Sequence, residues 1–155
     1  MRDDQREFLQ YALRGNVPAV EFCELLGQIT QVWDDIIDGD NPELTHEDIN
    51  AAFWNLFIAL PNNVFYQQNF HTLSPLLQAA IVDWWDSNEL VKGGVTEKAA
   101  AYVLRDTLTT IVIHCARIIG GYAWMREVSM EVRKFLYTED LLEFMEEHSG
   151  EHRRE

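Results

Sequence analysis

Apolar residues recur along the chain with the three-and-four spacing of helices, and no alternating strand pattern of convincing length interrupts them. The pattern predicts a first helix over Asp3–Leu13, closed by Arg14-Gly15-Asn16. A second starts near Pro18, a residue suited to a helix's first turn, and runs to Asp38, where Gly39-Asp40-Asn41-Pro42 stops it. Thr45, with Asp48 three residues on, reads as a helix cap. A third helix follows to Leu60, before Pro61-Asn62-Asn63. Residues 64–71 read as a short helical or irregular connection. A fourth helix covers Ser74–Val91 and ends at Lys92-Gly93-Gly94. Thr96 caps a long fifth helix to Ile119, with Gly120-Gly121 behind it. A sixth covers Trp124–Leu136, and Thr138 opens a last short one. Six or seven helices with short connections predict a single-domain all-α bundle over 1–148, with a frayed polar tail over 149–155.

The 155 residues match one domain of ordinary size. Such a chain buries roughly two thirds of its unfolded surface, so it needs neither a disulfide nor a metal merely to fold. Cys23 and Cys115 each sit in an apolar helical pattern, which predicts buried free thiols and suits a reducing compartment. The stretch Met1–Glu7 carries acids and no apolar run of the signal-peptide kind. Leu108–Ala123 is apolar but is interrupted by His114 and Arg117, short of the roughly 20 apolar residues a membrane span needs. The expectation is a cytoplasmic protein.

Charge changes the picture most. The net value is −14, unevenly placed: from Gly15 to Val91 there is no Lys or Arg, while twelve acids fall in that stretch. Direct binding to nucleic-acid backbone needs clustered Lys and Arg and is disfavoured, as are acidic phospholipid surfaces. A divalent cation, a small phosphorylated molecule bound through one, or a basic protein surface is favoured.

The acids are clustered as well as numerous. Glu21, Glu24, Gln28, Gln31, Asp35 and Asp38 follow one face of the second helix, with Asp34 at the stripe's edge. Asp34, Asp35 and Asp38 crowd its C-terminal turn, where the helix dipole disfavours negative charge by about 0.3–1 kcal/mol per group. A cation would offset this, and Mg²⁺, which takes one or two carboxylates plus water and phosphate oxygens, is the simplest.

Gln31-Val32-Trp33-Asp34-Asp35-Ile36-Ile37-Asp38-Gly39-Asp40 resembles the aspartate-rich motif of polyprenyl diphosphate synthases. That resemblance implies Asp34, Asp35 and Asp38 as ligands of Mg²⁺ ions gripping a diphosphate, with Gln31 as a helper. Glu21/Glu24 and Asp35/Asp38 have the spacing of metal-binding pairs in all-α nucleoside triphosphate pyrophosphatases, a second resemblance. Trp33-Asp34-Asp35, Asn63-Val64-Phe65-Tyr66 and Gly120-Gly121 are similar to uncharacterised small proteins of tailed bacteriophages, which implies host cytoplasm and no particular chemistry.

Asp83, Asp86 and Glu89 form an acidic edge on the fourth helix, and Asp83 and Asp86 can complete a metal site if they face the second helix. Without that they are a solvent face beside a buried Trp. On the fifth helix, Arg105 and Arg117 suit a phosphate or a carboxylate partner, and His114 suits proton transfer. The plainer alternative is a structural ion pair and a satisfied core histidine. Phe53, Trp54 and Phe57 read as core. No nucleophile elbow, phosphate-cradling glycine loop or zinc-type Cys/His set is present. Two functions follow: a Mg²⁺-dependent enzyme acting on a phosphate or diphosphate ester, or a non-catalytic acidic protein that docks on a basic partner or mimics DNA. Oligomeric state is not legible.

Overall fold

The turn residues act where the pattern places them. α1 (Asp3–Ala12) stops where Arg14 and Gly15 take φ of 51° and 71°. α2 (Val17–Asp38) opens on Asn16, whose side chain accepts from the Ala19 N–H. It closes on Gly39, at φ 64°, whose N–H donates to the Asp35 carbonyl. Glycine takes that left-handed conformation at no steric cost, so it ends the helix sharply. α3 (His46–Trp54) begins with a reciprocal capping box between Thr45 and Asp48. The computed structural model describes residues 3–137 and 139–149, and among these every regular element is helical.

Four boundaries differ from the expectation. α3 runs into a π-helical turn, Asn55–Ala59, and then α4 (Leu60–Asn62), so the helix passes through Pro61. Proline lacks the N–H for the carbonyl one turn back and its ring crowds that carbonyl; a wider turn relieves both. Asn63 caps α5 (Val64–Gln68) by accepting from Tyr66 N–H, and donates to the Pro18 carbonyl at 2.9 Å, tying the segment to α2. α6 (Phe70–Leu90) starts ahead of Ser74 and holds Pro75 inside, because burying Leu73 draws the preceding residues into the helix. The expected fifth helix breaks into α7 (Val95–Leu104) and α8 (Thr107–Leu136), where the Asp106 side chain accepts from the Thr109 N–H and caps α8. Gly120-Gly121 interrupts α8 without ending it: Gly121 alone is non-helical, at φ 84°. α9 (Leu141–Glu147) is capped by Asp140. Thr138 and tail residues 150–155 lie outside the described residues.

α2 and α8 hold the centre. Phe22, Cys23 and Leu26 of α2 meet Ile111, Val112, Cys115 and Ala116 of α8 in the main core, closed by Leu9, Leu13, Phe65 and Leu73. Cys23 and Cys115 are free, buried and hydrogen-bonded to each other, which with burial pushes the Cys115 thiol well up. A smaller cluster joins Val91, Ala101 and Phe144, docking α9 on α7. α8 is long and apolar enough to cross a membrane by length and composition, but its apolar residues serve this core and Gly121 breaks its course.

Candidate docking groove

The apolar side of α2 is wider than the core can cover. Its surplus, with α3, the π turn, α6 and the start of α8, encloses an open groove of about 410 Å³. Leu26, Ile29 and Trp33 face Leu77, Trp84, Leu108 and Ile111 across its floor. Phe53 and Leu56 join the lining from α3 and the π turn, Ile36 and Ile81 from α2 and α6. Thr30 and Thr107 bring the lining's only side-chain hydroxyls, and Thr30 spends its own on the Leu26 carbonyl at 2.8 Å. The lining thus offers hydrophobic contact and little polar recognition.

Apolar surface continues outward from the groove. Phe53 stacks on Phe57, with ring centroids 6.0 Å apart. Trp54, Phe57 and Trp85 are 64%, 64% and 67% exposed, and Ile36 and Ile37 of α2 and Ile81 and Val82 of α6 are exposed as well. This overturns the expectation that Phe53, Trp54 and Phe57 belong to the core. From Phe53 to Leu60 only Asn55 is polar, so this stretch is apolar on every side and α2 can cover just one. Exposed aromatic and aliphatic side chains in this number beside an apolar groove mark an interaction site.

Carboxylates border the same place. Asp34, next to Trp33, is half-buried; burial first, then Asp38, Asp35 and Asp40, raise its carboxyl to about 6, against the opposing pull of Arg105. Both Asp35 oxygens are occupied: Gln31 donates to one at 3.0 Å and Asn41 to the other at 2.9 Å. Asp38 and Asp40 are exposed. Hydrogen bonds from the backbone and hydroxyl of Thr45 hold Asp48 below the usual carboxylate range, so it stays negative. These residues surround the turn between α2 and α3, at one end of the groove.

Among the described residues no three Asp, Glu, His or Cys side chains gather around one point. Each Asp35 oxygen accepts one amide hydrogen bond and keeps a lone pair for a further partner. Asp83 and Asp86 sit on α6, on either side of Trp84. Trp84 faces Trp33, and Asp86, two residues on, lies about 200° around the helix, away from α2.

The basic candidates are engaged elsewhere. Arg105 donates from Nη2 to Asn88 Oδ1 at 3.1 Å, and its Nη1 lies 3.4 Å from His148 Nε2. Its guanidinium also sits 5.4 Å from the Phe144 ring centre, which makes it a clamp between α6 and α9. Its Nε is buried without a hydrogen-bond partner among the described residues. Arg117 donates from Nε to His114 Nδ1 at 3.2 Å. Burial, then the Arg117 charge, lowers the His114 pKa, so the imidazole is neutral. Neither lines the groove; His114 lies two turns beyond Leu108 on α8. The sequence candidates thus divide into an acidic cluster beside the groove, felt electrostatically by Arg105, and an Arg117–His114 pair that does not line the groove.

Sequence reasoning missed the groove itself. A signal was present in the run from Phe53 to Leu60, apolar but for Asn55, and in Ile36-Ile37, which carry the apolar face of α2 on beyond Trp33. Comparison with protein-family models, curated proteins and solved structures finds no match.

Proposed function

We propose that this chain is a non-catalytic interaction protein that holds a basic partner protein through an apolar groove bordered by carboxylates. One observation carries the reading: a 410 Å³ groove with almost no polar lining opens beside acids that have no Lys or Arg among them from residue 15 to 91. Apolar contact supplies affinity, and the negative border speeds encounter and rejects acidic competitors. The test is retention of partners on the immobilised protein, compared with Asp34→Asn/Asp38→Asn. A partner released by moderate salt and poorly held by the variant supports the reading. Equal retention by both proteins, or no salt effect, ends it.

A second reading, the Mg²⁺-dependent phosphoester enzyme, rests on the crowding of Asp34, Asp35, Asp38 and Asp40, which a bound cation relieves. Thermal unfolding with Mg²⁺ and with Ca²⁺ at equal ionic strength separates the two readings. A rise specific to Mg²⁺ and absent in Asp35→Asn supports the enzyme.

A further inference from the structure

Two features of the groove together specify what fits it. Its walls are helical, drawn from α2, α3, α6 and the start of α8, and they present aromatic and branched aliphatic side chains. That shape receives the side chains of one helix laid lengthwise, repeating at i, i+3, i+4 and i+7. Its charge is also polarised. Asp34, Asp35, Asp38 and Asp40 close α2, and Glu43, Glu47 and Asp48 open α3, so both sets meet at the turn joining these helices. Toward the other end of α2 the acids are fewer: Glu21 and Glu24 border a separate pocket with Ala59 and Asn62, and Glu24 is paired with Arg6 at 3.1 Å.

Resting on the interaction reading above, we propose that the occupant is a single amphipathic helix of a partner protein, its apolar face in the groove and its Lys and Arg concentrated at the end lying over the α2–α3 turn. Charge decides against the other occupants. A second copy carries the same net charge of −14, so two copies brought face to face repel one another. A fatty acid or other anionic amphiphile meets the same repulsion at the groove's end. The exposed Trp54, Phe57 and Trp85 extend the apolar surface beyond the groove, further than a small molecule would cover.

The probe is a synthetic peptide of about 18 residues, five helical turns, with Leu at the i, i+3, i+4, i+7 positions and Lys gathered at one end. Two controls carry the same Leu pattern, one with Glu in place of Lys and one with Lys spread evenly. Binding is read by calorimetry and by the emission of Trp33 and Trp84 in the floor. The expected result is that the end-weighted Lys peptide binds at least tenfold more tightly than either control, with affinity falling as salt rises. Phe53→Ser/Ile81→Ser changes exposed side chains, so it keeps its helical circular dichroism, and it loses at least tenfold in affinity.

Equal binding of the Lys peptide to that variant places the peptide outside the groove and overturns this inference, while salt-sensitive, rim-dependent retention of a partner still leaves the broader reading standing. Failure of both measurements removes both. Equal binding of the end-weighted and evenly spread peptides overturns the polarity. Sedimentation that finds a dimer in the wild type and a monomer in Phe53→Ser/Ile81→Ser assigns the groove to self-association and overturns the proposal.

Discussion

Trp33 of α2 and Trp84 of α6 lie with ring centroids 4.1 Å apart and planes 36° apart, joining the two helices under the groove. Trp84 is 8% exposed, whereas its neighbour Trp85 is 67% exposed, so adjacent tryptophans have opposite duties. Trp84→Ala is expected to cost about 3–5 kcal/mol, since a buried aromatic leaves a cavity that helices refill poorly. Trp85→Ser should stay within about 0.5 kcal/mol of wild type. Urea unfolding measures both; similar losses would mean that Trp85 is packed after all.

Asp34 makes stability depend on pH in a direction unusual for an aspartate. Its carboxyl rises from 3.8 to about 6 on folding, so the folded state holds the proton more tightly than the unfolded chain. The stability linked to that proton is full below about pH 3.8 and is lost as pH rises through about 6. Above that, the ionised group opposes folding, and Asp34→Asn removes the opposition. Half-exposure screens the effect, leaving on the order of 1 kcal/mol in favour of the variant, or a few degrees in Tm. The gain should be present near neutral pH and shrink as pH falls toward 4. A variant less stable than wild type at neutral pH would show that the Asp34 carboxylate has a stabilising partner.

What the sequence conveyed depended on whether a feature was local. Caps and stops at Asn16, Gly39 and Thr45 act within a turn or two of the chain, and these helices begin and end accordingly. The break at Asp106 was equally local, yet the apolar periodicity running through it hid the cap. The π turn before Pro61 required knowing that the helix continues past the proline, which packing of Leu60 decides. At the site, the crowding of Asp34 with Asp35, Asp38 and Asp40 follows from spacing on one helix and was legible. The Arg105 clamp was not, because Asn88 and His148 lie 17 and 43 residues away. Nor was the exposure of Phe53, Trp54 and Phe57: hydrophobicity states that a side chain prefers burial, and only the fold decides which ones find cover.

Gly120 and Gly121 are needed for different reasons, and their substitutions should separate. At Gly121, φ 84° with open space around the position makes strain the whole penalty. Gly121→Ala should therefore cost about 1–2 kcal/mol. At Gly120 an added Cβ would stand 2.4 Å from the Trp124 ring. That ring is fixed, because its Nε1 donates to the Ala12 carbonyl at 2.9 Å and Arg14 lies over its face. Gly120→Ala must displace the indole and break that link between α1 and α8. It should cost more than Gly121→Ala, and Trp124→Phe in the same background should recover part of the difference by removing the fixed indole. Equal losses for the two alanine variants would mean that Trp124 moves aside freely.

Arg105 stands between two groups of acids, lowering Asp34 of α2 on one side and Glu139 ahead of α9 on the other. Burial raises the Glu139 carboxyl first, and its hydrogen bond and charge contact with Glu147 raise it further. Arg105→Met keeps most of the stem's packing against Phe144 while removing the charge and the bonds to Asn88 and His148. Both carboxyls should then titrate higher than in wild type, Asp34 above about 6. The amides of α9 should exchange faster, because α9 loses a link to α6 and keeps the small cluster around Phe144 and Ala101. Carbon-detected titration of the side-chain carboxyls and hydrogen exchange across residues 141–147 read the two effects independently. Faster exchange with both carboxyls unmoved would make Arg105 a packing residue whose charge is answered by solvent. Raised carboxyls with unchanged exchange would make it an electrostatic partner that α9 does not need.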